Sequence, residues 1–178
     1  MRTLETERLI LRNWVETDLE DLYEYASVEG VGEMAGWPHH TDIEVTKRIL
    51  EGFIEKDEVY AIVLKDSQKV IGSLGIHNRA KEEEKDEKIQ REIGYVLSKD
   101  YWGKGLVPEA VKAVIQYAFD EMYVDVLWCG HFVTNQRSKR VIEKCGFLFY
   151  EEGVYEAKQL GTTFADKRYC ITREDYQK

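Results

Sequence analysis

Between Glu92 and Ala110 the sequence Glu-Ile-Gly-Tyr-Val-Leu-Ser-Lys-Asp-Tyr-Trp-Gly-Lys-Gly-Leu-Val-Pro-Glu-Ala passes from a strand, through a turn with two glycines, into a helix. Ile93, Tyr95 and Leu97 alternate with Glu92, Gly94 and Val96, the period of a strand over Ile89 to Leu97. From Leu106 to Glu121, Val107, Ala110, Val111, Val114, Ile115, Ala118 and Phe119 form the broad apolar stripe of a packed helix. Gly103 and Gly105 permit backbone conformations closed to other residues and let a ligand approach the main chain. Pro108 suits a first helical turn, where its missing N–H removes no intrahelical bond. Turn amides followed by the free N–H groups of a helix make a nest for phosphate oxygens. A plain strand-to-helix turn, with glycines for tightness, is the alternative. A Walker loop is a poor match because Gly105, not Ser or Thr, follows Lys104, and a dinucleotide fingerprint fails because Pro108 stands at its third glycine.

The rest of the chain surrounds this unit with alternating elements. Arg8 to Arg12 reads as a first strand, and Thr17-Asp18-Leu19-Glu20 as a capping box opening a helix with Leu19, Leu22, Tyr23 and Ala26 on one face. After a glycine-containing loop, Gly30 to His40, Thr41-Asp42-Ile43-Glu44 opens a second helix with Val45, Ile49, Leu50 and Phe53 inward. Strands follow at Tyr60 to Leu64 and Val70 to Ile76, joined by a turn at Asp66 to Lys69. The charge run Ala80 to Lys88 reads as a solvated hairpin connection. Beyond the long helix come a strand at Val124 to Val133, a helix at Gln136 to Lys144 stopped at Gly146, and strands near Phe147 to Val154 and Lys167 to Thr172. No linker or internal repeat divides the 178 residues, so one domain is expected over 1–178. Consecutive strands with helices between them predict an α+β, α/β-layered protein on one mixed sheet.

With 25 basic against 34 acidic residues the net charge is −9, which disfavours nucleic acid and anionic membranes and leaves room for a cationic partner. No stretch approaches the ~20 apolar residues of a membrane span, and the N-terminus lacks a signal-peptide core. Cys129, Cys145 and Cys170 are an odd number without a CxxC pair, so neither a disulfide framework nor a metal site is implied, and a cytoplasmic location fits.

A second stretch, Asn135-Gln-Arg-Ser138 through Gly146-Phe147, begins a helix after a strand. Taken singly, Asn135 is an N-cap and Ser138 an exposed first-turn residue. Taken with Tyr101-Trp102-Gly103-Lys104-Gly105-Leu106 and Glu109-Ala110, it makes the chain resemble the GNAT superfamily of acetyl-CoA-dependent N-acetyltransferases, and within it the RimJ/RimL-type branch that acetylates ribosomal-protein N-termini. The resemblance extends from Glu5-Thr-Glu-Arg-Leu-Ile-Leu-Arg12 to the final strands.

That resemblance implies a mostly antiparallel twisted sheet of about seven strands, splayed in the middle, with helices on both faces. It also implies acetyl-CoA as co-substrate, no metal, and an amine acceptor, either a small molecule or a protein N-terminus, on a monomer or homodimer. The amides of Trp102, Gly103, Lys104, Gly105, Leu106 and Val107 would hold the pyrophosphate. The backbone of Tyr95, Val96 and Leu97 would pair with the pantetheine arm, Asn135 would hydrogen-bond that arm, and Ser138 would sit near the thioester sulfur. Trp102 and Val107 depart from the superfamily's usual residues at the head and end of the loop, and Ile142 stands where many relatives carry a tyrosine.

Acetyl transfer requires an amine, with a lysine-like pKa of ~10.4, to lose its proton, and Glu92 is the candidate base. A solvent-facing strand carboxylate is its alternative role. A backbone N–H near Tyr95 to Leu97 would meet the oxyanion, and Ser138 would donate to the leaving sulfur. Trp37 and His39, in Trp37-Pro38-His39-His40, are the candidate acceptor-binding residues. His77 and His131 read as packing residues. A non-catalytic acyl-CoA-binding or regulatory protein of the same fold is the competing function, and a purely structural domain a third.

Overall fold

A computed structural model describes residues 1–79 and 87–178. Eight strands form one sheet: β1 (Leu4–Glu5), β2 (Leu9–Arg12), β3 (Val59–Leu64), β4 (Val70–Asn78), β5 (Gln90–Leu97), β6 (Val126–Phe132), β7 (Leu148–Ala157) and β8 (Thr162–Thr172). Their spatial order is β1-β2-β3-β4-β5-β6-β8-β7, antiparallel throughout except for the parallel pair β5–β6. The helices are α1 (Leu19–Ala26), α2 (Ile43–Lys56), α3 (Leu106–Asp120), α4 (Gln136–Lys144) and a final turn α5 (Arg173–Tyr176). The mixed, mostly antiparallel sheet is the expected one with one more strand. The addition is β1, whose two residues are too few to show an alternation.

The near-continuous apolar run of β3 is explained by cover on both faces. Tyr60 and Ile62 enter the core that α3 completes with Ala110, Val111, Val114 and Ala118, while Ala61 and Val63 enter a second core with Trp14, Leu22, Tyr25, Ala26 and Leu50, mostly from α1 and α2. All four β3 residues are fully buried, each large one contributing about 1.5–3 kcal/mol. The α3 stripe is buried as its spacing predicts, with Leu106 added at its start.

Several local expectations are corrected. Thr17 caps nothing: a short 3₁₀ turn, Glu16–Asp18, precedes α1, and the carboxylate of Asp18 accepts the Val15 N–H (3.0 Å) and both arms of the Arg12 guanidinium (2.8 and 2.9 Å). The α2 cap is Asp42 rather than Thr41, accepting the Glu44 N–H at 2.8 Å. Thr46 and Leu50 carry the buried face of α2, and Ile49 is exposed. The last two strands are longer than expected because Gly161 (φ 63°), after a 3₁₀ turn at Lys158–Leu160, closes them into a hairpin. β4 and β5 pair antiparallel, but of the charged run Ala80 to Lys88 that joins them, residues 80–86 lie outside the described residues. Among the described residues no helix is long and apolar enough to cross a membrane, no cluster could hold a metal, and all three cysteines are free thiols.

Candidate functional site

The site begins where β5 and β6 part. Their parallel pairing runs from Gln90↔Val126 to Ile93↔Cys129 and stops. From Gly94 to Leu97, β5 keeps only β4 as a neighbour, while β6 continues with β8 alone. The sheet is therefore splayed as expected, and a stretch of strand edge at Tyr95, Val96 and Leu97 offers backbone groups to a further extended chain.

Next to that edge lies the glycine turn. Gly103 and Gly105 both have φ of 76°, in the left-handed region, and no protein atom comes within 4 Å of where a Cβ on Gly103 would sit. The Trp102 amide, expected to meet the pyrophosphate, instead donates to the Lys99 carbonyl at 3.2 Å, while among the described residues no acceptor meets the N–H groups of Gly103, Lys104 or Gly105. Those of Leu106 and Val107 open α3 and have no intrahelical partner. These five consecutive amides stand at the positive end of a 15-residue helix, a setting for an anion. Trp102 locks the turn in place: its indole donates to the Leu97 carbonyl (2.8 Å), and the Arg137 guanidinium stacks 3.7 Å from its ring centroid. A second clamp comes from the N-terminal segment. Glu109, in the first turn of α3, accepts from Thr6 Oγ1 (2.5 Å), the Arg8 N–H (2.8 Å) and Arg8 Nε (2.8 Å), and Arg8 also reaches the Lys104 carbonyl at 3.0 Å. Burial works to raise the Glu109 pKa, but these donors together lower it below its usual value. Both segments stand out in the sequence, but they lie a hundred residues apart and nothing local pairs them.

Across the gap, Asn135 caps α4, its Oδ1 accepting the Ser138 N–H at 3.1 Å. The cap role is thus realised, and the Asn135 amide NH₂ is the group left for a ligand. Arg137, Arg140 and Lys144, spaced i, i+3, i+7, put a cationic stripe of α4 on the cleft; this spacing was legible in the sequence.

These parts enclose one cleft of about 1020 Å³, at the upper end of the range for ligand sites. Glu92, Tyr95, Val96, Leu97, Trp102, Gly103, Gly105, Leu106, Val107, Asn135, Ser138 and Trp37 all line it. Lys104 does not: its carbonyl is taken by Arg8 and its ammonium lies 5.0 Å from the Tyr101 ring centroid. His39 does not either. Its backbone N–H (2.9 Å) and ring Nδ1 (2.7 Å) both serve Glu33, which also accepts the Gly30 N–H at 2.7 Å. Burial works against the Glu33 anion, but the His39 and Gly30 donors outweigh it and bring its pKa down to about 2. His39 therefore ties down the Gly30–His40 loop rather than facing the cleft.

Glu92 sits on the α1–α2 face of β5 with Gly94 and Val96. Its Oε2 is 2.8 Å from Arg79 Nη1, and the Arg79 guanidinium lies 4.2 Å from the Trp128 ring centroid. Further lining residues lie outside the predicted site. His77, expected to pack, is instead exposed at the cleft, its Nδ1 3.6 Å from Glu58, and Tyr155 borders the cleft against Gly36 of the loop. His131 is buried, with Nδ1 2.8 Å from the Phe132 carbonyl, so it packs as expected while still touching the cavity wall. Asp166 is buried and bonded to Arg168 Nε at 3.2 Å. The cleft is cationic along α4 and carries carboxylates at Glu92 and Asp166.

Comparison with known proteins agrees with this geometry. Residues 8–148 match the family described as acetyltransferase (GNAT) domain. The uncharacterized N-acetyltransferase YoaA of Bacillus subtilis is 28% identical over 177 residues, spanning 96% of each chain. The uncharacterized N-acetyltransferase p20 of Bacillus licheniformis is 32% identical over 155 residues, 83% of each. A GNAT-family acetyltransferase from Bacillus anthracis superposes with a TM-score of 0.83 over 97% of this chain and 99% of that one, at 24% identity, and so shares the fold.

Proposed function

Because this chain belongs to the GNAT acetyltransferase family, we propose that it moves the acetyl group of acetyl-CoA to a primary amine by direct attack in a ternary complex, within one domain spanning residues 1–178. The observation that carries this reading is the continuity of two features in one cleft. Gly103, Gly105, Leu106 and Val107, whose amides are unpartnered, line the same cleft as the unpaired edge of β5. The first suits a diphosphate and the second an extended arm bearing amide groups, and together they fit coenzyme A. The stripe of Arg137, Arg140 and Lys144 adds charge of the right sign.

In this reading the backbone of Tyr95, Val96 and Leu97 holds the arm, and a free N–H on that edge meets the carbonyl oxygen as it becomes an oxyanion. Glu92 takes the amine's proton, directly or through a water. Arg79 occupies Oε2, leaving Oε1 as the acceptor. Ser138 faces the departing sulfur, whose thiol, with a cysteine-like pKa of ~8.5, leaves readily. The motifs around Trp102–Leu106 and Asn135–Ser138 support a RimJ/RimL-like branch. Trp37 shapes the acceptor side.

Incubation with acetyl-CoA, a thiol reagent and a panel of small amines and N-terminal peptides tests the reading. Amine-dependent CoA release is the expected result. Tight CoA binding with no turnover across the panel would instead make the chain a sensor, and failure of CoA to raise the melting temperature would remove the site altogether.

A further inference from the structure

The structure gives Ser138 a partner from across the cleft that the reading above does not use. Tyr95 leaves β5 on the α3–α4 side, two residues beyond the last one paired with β6, and its phenol spans the gap to α4. The phenol oxygen lies 2.9 Å from Ser138 Oγ and 3.3 Å from the Ser138 carbonyl. Both residues line the cleft. A serine hydroxyl has one proton to give and lone pairs to receive, and so has a phenol. If Ser138 donated to Tyr95, its only proton would point away from any ligand.

We propose that Tyr95 is a positioning residue, donating its hydrogen bond to Ser138 Oγ and thereby turning the serine's proton toward the sulfur of CoA as the thioester breaks. This rests on the acetyl-transfer reading. Burial raises the Tyr95 phenol well above the usual tyrosine range, with Cys129 adding to the effect, so the ring keeps its proton at every working pH. A hydrogen bond received by Oγ also polarises the O–H it gives.

The step balances without moving a proton through the pair. The amine lone pair forms the N–C bond, and the C–S bond breaks with its electrons on sulfur. The amine's surplus proton leaves through Glu92 or water. A CoA thiol of pKa ~8.5 is more acidic than a phenol at ~10, so the thiolate is held by the Ser138 hydrogen bond and takes a proton from solvent after it departs.

The test needs no acceptor. The thiol of CoA bound to the protein is titrated by its thiolate absorbance, against the CoA-free protein as blank. The wild type is expected to hold that thiol below the value of free CoA. Tyr95→Phe and Ser138→Ala return it upward by equal amounts, and the double variant goes no further. With a turned-over amine, each single variant loses about tenfold or more in kcat, as for one hydrogen bond to a charge. CoA affinity stays within about twofold, and the double variant loses no more than either single. A wild-type thiol pKa in Tyr95→Phe, or additive losses in the double variant, overturns the proposal while leaving the acetyltransferase reading standing. Failure of the wild type to bind CoA overturns both. Should Tyr95→Phe not fold, replacing tyrosine with the more acidic fluorotyrosine lowers the bound thiol's pKa if the inference is right, and leaves it unmoved if it is wrong.

Discussion

Gly94→Val separates the fold from the cleft. Gly94 faces Gly75 of β4 in register on the cleft floor, it is exposed, and a Cβ added to it meets nothing within 4 Å. Its φ lies outside the left-handed region, so no strain attaches to a side chain there. Glycine inside a strand costs roughly 0.5–1 kcal/mol through chain entropy. Valine should therefore stabilise the empty protein by about that amount, raising the melting temperature by about 1–4 °C for a chain of this size. In the proposed reaction the same branched side chain would stand between the open edge of β5 and Glu92, where acyl group and amine are brought together. A displacement of about 1 Å at a reacting centre costs on the order of a hundredfold. Thermal unfolding followed by amine-dependent CoA release reads both effects: an equal or raised melting temperature is expected beside a kcat/KM lowered about a hundredfold. Wild-type turnover in the stable variant would refute the placement of the reaction at this floor. A lowered melting temperature would refute the claim that the floor is open.

Gly105→Glu adds a left-handed φ of 76° for a side-chain-bearing residue and a negative charge at the amide nest; it should stay folded by circular dichroism while binding CoA at least about tenfold more weakly in calorimetry. Glu33 titrates near 2 in the folded protein against its ordinary 4.5. A depressed carboxylate contributes stability that is complete above the unfolded value and lost as pH falls from about 4.5 toward about 2. Glu33→Gln should therefore unfold at lower temperature than the wild type at neutral pH, with the difference closing through that acid window in a series of melts. Asp18→Asn removes the charge shared by Arg12 and the Val15 N–H in a buried position, and should cost about 1.5–3 kcal/mol in urea unfolding with the slope unchanged.

Much of this architecture is written in period and punctuation. The α3 stripe, the β3 run and the glycine turn each have one physical solution, and Gly103, Gly105 and Gly146 adopt the positive φ expected of them. The α2 cap falls on Asp42 rather than Thr41 because Thr and Asp are both good caps and only tertiary position selects between them. Thr17 failed for another reason: Arg12, on a neighbouring strand, recruits Asp18 and reshapes the turn. What stayed hidden is long-range. The Arg8–Glu109 clamp, the Tyr95–Ser138 contact and the tethering of His39 to Glu33 depend on which side chains the folded sheet brings together. Strand period showed that Tyr95 and Glu92 lie on opposite faces. It could not show that the tyrosine would reach α4 through the gap left by parting strands.

A crystal structure of the protein with CoA tests the central claim most directly. The diphosphate is expected within hydrogen-bonding distance of the main-chain nitrogens between Gly103 and Val107, and the pantetheine arm along the open edge of Tyr95 to Leu97. A diphosphate bound elsewhere, with those nitrogens left to water, would contradict it.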